Sequence, residues 1–172
     1  FKKLLDHKNI KVVLNKKYDL NFKIKPKHLT IYTGPLDKLL NYKFGKLDWR
    51  SLKFKKKRVN TSDFQGTSVV NFPDLSYKFT RIHEPKHLHP ERIVFKTNKT
   101  LIIEEYPSNN INEPYYPIND EKNRELHRKY KNYLKSFTKF TFGGRLADYA
   151  YYDMDMTISA ALKKFEQIKK NI

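Results

Sequence analysis

The chain has 172 residues, 15% aromatic and 38% hydrophobic, enough to bury a core as one domain or two small ones. It has no cysteine, which excludes a disulfide framework and thiolate metal ligation; no apolar run approaches the ~18 residues of a membrane helix, so a cytoplasmic protein with no membrane segment is expected. The net charge of +18 rests on 36 basic residues, only seven of them arginine. Such an excess points either to a polyanionic or phosphorylated partner or to a lysine-rich solvated surface.

In chain order, residues 1–6 (FKKLLD) read as the last turns of a helix and 9–14 (NIKVVL) as a strand. The helical pattern opens at Phe1 with no capping residue ahead of it, which suggests a piece of a longer chain. Residues 29–35 (LTIYTGP) give a second strand ended by a Gly-Pro break, and 36–42 (LDKLLNY) a short helix. From about Ser51 to Tyr106 the pattern changes to short alternating or β-branched segments: SLKFKK, TSVVNF, YKFTRIHE and KTLIIEEY. Pro, Gly and Asn separate them, and together they predict an antiparallel sheet. After Pro117 the period turns helical, with Leu126, Tyr130, Tyr133, Leu134 and Phe137 on one apolar face behind Asn119 or Asp120 as cap. KFTFGG (139–144) reads as a short apolar strand. A last helix from about Met156 aligns Ile158, Leu162, Phe165 and Ile168, with Asp155 or Thr157 available to cap it.

The stretch His83-Glu84-Pro85-Lys86-His87 is a literal H-E-x-x-H, the zinc-protease pattern in which two histidines one helical turn apart hold the metal. Pro85 lies between the histidines, and the residues ahead are strand-like, so the helix that would align them is broken. Extended, the two Cα atoms would stand ~13 Å apart. No metal site is expected of His83, Glu84, His87 and His89.

Three other features point to an anionic ligand. Arg81 sits inside a predicted strand, EPYYPIND (113–120) sets Tyr115 and Tyr116 in a turn held by two prolines, and FGGRLADYAYYDMDMT (142–157) joins a strand to a helix through Gly143, Gly144 and Arg145. A strand, a glycine-rich turn and a helix N-terminus admit phosphate groups close to the backbone. Arginine adds a bidentate fork, and tyrosine adds hydroxyl donors on a rigid ring.

At these residues the sequence resembles the bacterial UDP-galactopyranose mutase family. The blocks IYTGPLDKLLNYKFGKLDWRSLKF, DFQGTSVVNF, FTRIHEPKHL, EEYPSN, EPYYPINDEKN and FGGRLADYAYYDMD occur in the family's order. They match its C-terminal half; the dinucleotide fingerprint G-x-G-x-x-G lies upstream in the family and does not occur here. The resemblance implies a flavoenzyme that interconverts UDP-galactopyranose and UDP-galactofuranose, with N5 of reduced FAD attacking the anomeric carbon. It implies an α+β fold: an antiparallel substrate domain (36–113) flanked by segments of a Rossmann-like FAD-binding domain (1–35 and 114–172). Arg81, Tyr116 and Tyr151 match the family's diphosphate-binding residues. Asn71 matches a substrate-site asparagine, and Tyr115 is grouped with them. Arg145, Asp153, Met154, Gly34 and Gly144 match the flavin side. Where the family commonly reads Tyr-Arg-Tyr, this chain has Tyr149-Ala150-Tyr151, which keeps both flanking tyrosines.

These matches predict a UDP-sugar ligand, FAD as cofactor, no metal, no nucleic acid, no membrane, and a possible homo-oligomer. They also predict that NIKVVL and KFTFGG lack the parallel strands that should flank them, leaving both as unpaired edges. The competing reading is a basic nucleic-acid or polyanion-binding module with aromatics and lysines interleaved on one open sheet face. The two differ in whether Arg81, Tyr116, Arg145 and Tyr151 converge.

Overall fold

The computed structural model describes residues 1–22, 26–92, 96–109 and 113–170. In order, its elements are α1 (Lys2–Leu5), β1 (Thr30–Tyr32), α2 (Leu36–Leu39), β2 (Trp49–Val59), β3 (Val69–Asn71), β4 (Arg81–His83), a 3-10 turn (Pro85–Leu88), β5 (Thr100–Ser108), β6 (Tyr116–Pro117), α3 (Glu121–Leu134), β7 (Phe140–Phe142) and α4 (Met154–Lys169). Helices and strands are mixed. The strands form an antiparallel five-stranded sheet, in the order β3-β4-β5-β2-β6, and a separate parallel pair, β1-β7.

The antiparallel region expected between Ser51 and Tyr106 forms, and β2 and β5 are its axis. They pair from Ser51 opposite Ser108 to Val59 opposite Thr100. Alternation on β5 sends Ile102 and Glu104 to one face and Ile103 and Glu105 to the other. The cap expected for α3 also forms, since the Asp120 side chain accepts a hydrogen bond from Asn123 N–H. That helix buries Tyr130 and Leu134 against Leu36 and Leu39 of α2 and against Ala147. Tyr130 lies at the centre: its hydroxyl donates to the Gly45 carbonyl at 2.6 Å and accepts from Phe44 N–H at 3.1 Å, closing the turn after α2.

Four local expectations need correction. Residues 9–14 do not form a strand: Ile10, Val12, Val13 and Leu14 are exposed, and no described strand lies alongside to complete a ladder. KFTFGG is not left without a partner, because β7 pairs in parallel with β1, Ile31 opposite Thr141. Phe137 lies beyond the end of α3, although it still packs on the core. Helix α4 starts at Met154 with Asp153 as its N-cap, and Thr157 donates back to the Asp153 carbonyl instead of capping. None of its residues is buried; Ile158, Leu162 and Phe165 stand 61%, 62% and 57% exposed.

The H-E-x-x-H segment folds as its proline requires. Pro85 opens a 3-10 turn, and Glu84 ahead of it is fully buried. Its carboxylate accepts from the N–H groups of Phe64 and Gln65 (3.2 and 3.0 Å) and from the Thr100 hydroxyl at 2.6 Å. The donor atoms of Asp63, Glu84 and His87 lie within 4.8 Å of one another. Each is committed to the protein: Asp63 Oδ1 accepts from Gly66 N–H at 2.6 Å, and His87 Nε2 is 3.3 Å from both acids. His83 turns to Glu105 and His89 to Glu91, so the motif's histidines do not converge.

Three expected outcomes rest on this packing. Glu84→Ala leaves buried donors without an acceptor and is expected to cost about 3 kcal/mol in urea unfolding. Zinc titration of the intact chain should find no site tighter than micromolar, and a nanomolar site lost in His87→Ala would overturn the structural role. The third concerns His127, whose Nε2 donates to the Ala147 carbonyl at 2.9 Å. Burial is the main cause holding its pKa below the ordinary value. The unfolded chain therefore takes up the proton more readily, and stability is full above about pH 6.5 and falls as pH drops below it. Urea melts above and below that value should show the fall, and His127→Gln, which keeps a donor but does not titrate, should flatten it.

Candidate functional site

The register of the antiparallel sheet builds the first part of the site. Asn71 on β3 stands opposite Arg81 on β4, Arg81 opposite Glu105 on β5, and Glu105 opposite Phe54 on β2. These four residues make one row on one face. Arg81 Nε donates to Asn71 Oδ1 at 2.9 Å, and its Nη1 lies 3.5 Å from Glu105 Oε1. The Glu105 side chain is 6% exposed and that of Arg81 is 43% exposed, so a buried acid anchors a guanidinium that reaches solvent. In the next row stand Val69, His83, Ile103 and Lys56. His83 Nε2 lies 3.0 Å from the other Glu105 oxygen. With Phe54, Pro85 and Leu88, this second row lines an apolar hollow of about 300 Å3.

The second part gathers the paired tyrosines and the loop before α4. Tyr116 and Pro117 pair with Arg50 and Trp49, which sets the Tyr-Tyr turn against the start of β2. The rings of Tyr116 and Tyr151 stack at 5.5 Å and 25°, and the Arg145 guanidinium packs on both, 5.5 and 5.0 Å from their centroids. Arg145 Nη2 donates to the Tyr115 carbonyl, while its Nε is buried without a partner among the described residues. Buried donors are rarely left unpaired. Asp153 beside Tyr151 raises the phenol's pKa, and burial, followed by Glu113, raises that of Tyr115. Both phenols are thereby held as neutral donors.

Phe54 joins the two parts. Its ring meets His83 at 6.4 Å and Tyr115 at 6.0 Å, edge to face in both cases. The cations of Arg81 and Arg145 therefore lie on a continuous surface, linked through Phe54 and Tyr115 and not by direct contact among the described residues.

Tyr149 fixes the loop that carries Arg145 and Tyr151. It adopts φ +50°, and its ring packs edge to face on Trp49 at 4.8 Å. Its hydroxyl accepts from Ile118 N–H at 3.2 Å and donates to the Asp48 carbonyl. One side chain thus ties the loop to β2 and to the turn after β6.

The third part is the glycine pair. Gly34 and Gly144 follow β1 and β7, at the carboxyl ends of the parallel strands, where open α/β sheets receive ligands. Gly144 has φ +87°, and a Cβ on it would meet Thr33 at 3.6 Å, so the two turns touch. A Cβ on Gly34 would come within 2.5 Å of the Tyr32 hydroxyl, so the Tyr32 ring would have to shift to admit one. Tyr32 is itself half-buried, and burial together with Asp37 pushes its phenol up to about 12. The expected strand–turn–helix phosphate cradle does not form. Residues 143–153 intervene before α4, and Gly144 N–H already donates to Asp148 Oδ2 at 3.1 Å. A carboxylate holds the amide that a phosphate would need. Asp153 and the exposed Met154 mark the helix start, two and three residues beyond Tyr151.

The sequence reading missed Glu105 and Phe54. Alternation in KTLIIEEY does put an acid among apolar residues, a usable signal, but their pairing with Arg81 depends on cross-strand register.

Comparison with known proteins bears on the family. The profile of the family described as UDP-galactopyranose mutase matches residues 1–151. A probable UDP-galactopyranose mutase of Klebsiella pneumoniae is 33% identical over 98% of this chain and 43% of its own length. The UDP-galactopyranose mutase of Mycoplasma genitalium is 40% identical over 80% of this chain and 35% of its own. A dTDP-fucopyranose mutase of Escherichia coli is 31% identical over 99% of this chain and 46% of its own. The chain spans less than half the length of these relatives. With the family profile covering most of its residues, the chain belongs to the UDP-galactopyranose mutase family.

Proposed function

We propose that this chain supplies the substrate-holding part of a flavin-dependent mutase that interconverts UDP-galactopyranose and UDP-galactofuranose. The observation that carries the reading is the surface on which Asn71, Arg81 and Glu105 lead through Phe54 and Tyr115 to Tyr116, Arg145 and Tyr151. A nucleoside diphosphate sugar is long, anionic at its centre and polar at its sugar end. A solvent-reaching guanidinium on a buried anchor suits the diphosphate, with Asn71 at its side. The hydroxyls of Tyr116 and Tyr151 suit the oxygens between diphosphate and sugar.

A neighbouring set of residues suits the flavin. The unpartnered Nε of Arg145 is a donor awaiting an acceptor, and Gly34 and Gly144 sit at the strand ends with Asp153 and Met154 nearby. These five residues would hold the flavin side of the site. When bound and reduced, the flavin supplies the nucleophile that displaces UDP from the anomeric carbon. This chain's own residues bind and orient the sugar nucleotide, and Arg81 offsets charge as it gathers on the departing diphosphate. The reading places residues 36–113 in a substrate domain, and 1–35 and 114–172 in a Rossmann-like FAD-binding domain of a bacterial cytoplasmic enzyme.

The polyanion-binding alternative has its own support in Lys53, Lys55 and Lys57, which share the opposite face of β2. Its stacking platform is weak, however. Lys55 lies over Tyr106 at 4.6 Å, Lys57 pairs with Glu104, and Phe72, Tyr77 and Phe79 pack on one another.

In the enzyme containing these residues, Arg81→Ala should lower kcat/KM by roughly 30- to 900-fold, or ~2–4 kcal/mol, with flavin still bound. Arg81→Lys should recover only part, because an ammonium lacks the fork. A near-normal rate in Arg81→Ala would remove the proposed role. The 172 residues alone should not retain FAD: after mixing and desalting, the visible spectrum should lack a flavin band. The parallel pair has two strands, and the apolar face of α4 is uncovered. A band near one equivalent would show that the dinucleotide can be held without the upstream fingerprint.

A further inference from the structure

Glu105 is the only acid that the described contacts bring to Arg81, and it is shared. One oxygen faces Arg81 Nη1 at 3.5 Å and the Thr80 hydroxyl at 3.4 Å; the other faces His83 Nε2 at 3.0 Å. The acid is buried, whereas both basic partners are partly open to solvent. We propose that Glu105 is a fixed counter-charge that sets how much of the Arg81 charge reaches a bound diphosphate, and that His83 competes with Arg81 for it according to its own protonation. The proposal rests on the reading of Arg81 as the diphosphate ligand.

The geometry gives the direction. When His83 is cationic, it satisfies Glu105 at the shorter of the two distances, and Arg81 keeps its full charge for an anion while Asn71 still holds its Nε. When His83 is neutral, Arg81 is the cation left to compensate Glu105, and its pull on an incoming diphosphate is partly spent inside the protein. The other groups facing this carboxylate do not reproduce the effect. From β2 come Phe54, without charge, and Lys56, which lines the hollow beside His83. From β3 come Asn71 and Val69. The 3-10 turn contributes Pro85 and Leu88 to the hollow, and the segment before β6 contributes Tyr115 and Glu113, the phenol being held neutral. Of these groups, His83 is the imidazole, and histidine is the residue type whose charge responds to pH near neutrality. In this scheme Glu105 and His83 are positioning residues, and Arg81 is the group that touches ligand.

UDP-galactose is the probe, because its diphosphate diester keeps two charges across that range. Binding to the 15N-labelled chain is read by shift perturbation at the two ends of the range, with urea stability measured for each variant. The wild-type chain is expected to bind about 2- to 5-fold more tightly at the acid end, the effect of one partly exposed ion pair. His83→Gln should bind with the same affinity at both ends. Glu105→Gln should bind about 2- to 5-fold more tightly than wild type at the basic end and lose the pH dependence. A merely structural acid would do the reverse, weakening binding along with stability. Weaker or unchanged binding in Glu105→Gln, or pH dependence that persists in His83→Gln, overturns the proposal while loss of binding in Arg81→Ala keeps the ligand reading. Unchanged binding in Arg81→Ala, or none by wild type at millimolar ligand, overturns the ligand reading and the proposal with it.

Discussion

The pairing of β5 between β4 and β2 is the constraint on which the rest of the molecule depends. Glu104 and Glu105 are neighbours in sequence, yet both are only 5% exposed and they point to opposite faces. A buried carboxylate without a partner is costly, so each must meet its cation for the strand to sit where it does. Glu104 meets Lys57 and the Tyr106 hydroxyl on one face; Glu105 meets Arg81 and His83 on the other. A slip of one residue would exchange the faces and strand both acids. The register is thus fixed twice by charge, and the row from Asn71 to Phe54 follows from it.

The second half of the site is positioned by a different means. Among the described residues no ladder leads from the five-stranded sheet to the loop after β7. The loop is pinned by Tyr149, whose ring rests on Trp49 and whose hydroxyl bridges the Asp48 and Ile118 backbone. The positive φ at a bulky aromatic is strained backbone, and such strain persists only where surrounding contacts over-determine it. Because Trp49 opens β2, the strand that carries Phe54 also carries the anchor for Arg145 and Tyr151. One long strand sets the spacing between the two cations of the site.

Much of this was legible from sequence, and the failures have physical causes. Turn residues and alternation located the antiparallel strands, Asp120 announced the start of α3, and Pro85 removed the metalloprotease geometry, because each is a local effect. Ile10 to Leu14 has a strand's composition, but a strand exists only with a neighbour. The start of α4 was misplaced because Asp155 and Thr157 are as good caps in isolation as Asp153. Glu105, Phe54 and the anchoring role of Tyr149 escaped notice because these roles arise from residues between about 20 and 100 positions away, through register and packing.

The two sheets differ in how much of their support lies within the chain. Each inner strand of the five-stranded sheet has both neighbours present, and its buried acids are paired locally. The parallel pair is a different case, since parallel strands are stable when covered on both faces and extended at both edges. Here one face meets α2 and α3, whereas Ile31 and the apolar side of α4 stay open to solvent. The row around Arg81 lies on the first sheet and the glycine turns lie on the second. A ligand gripped chiefly by the row would meet a surface already set by charge. One gripped chiefly at the strand ends would depend on whatever completes the parallel sheet.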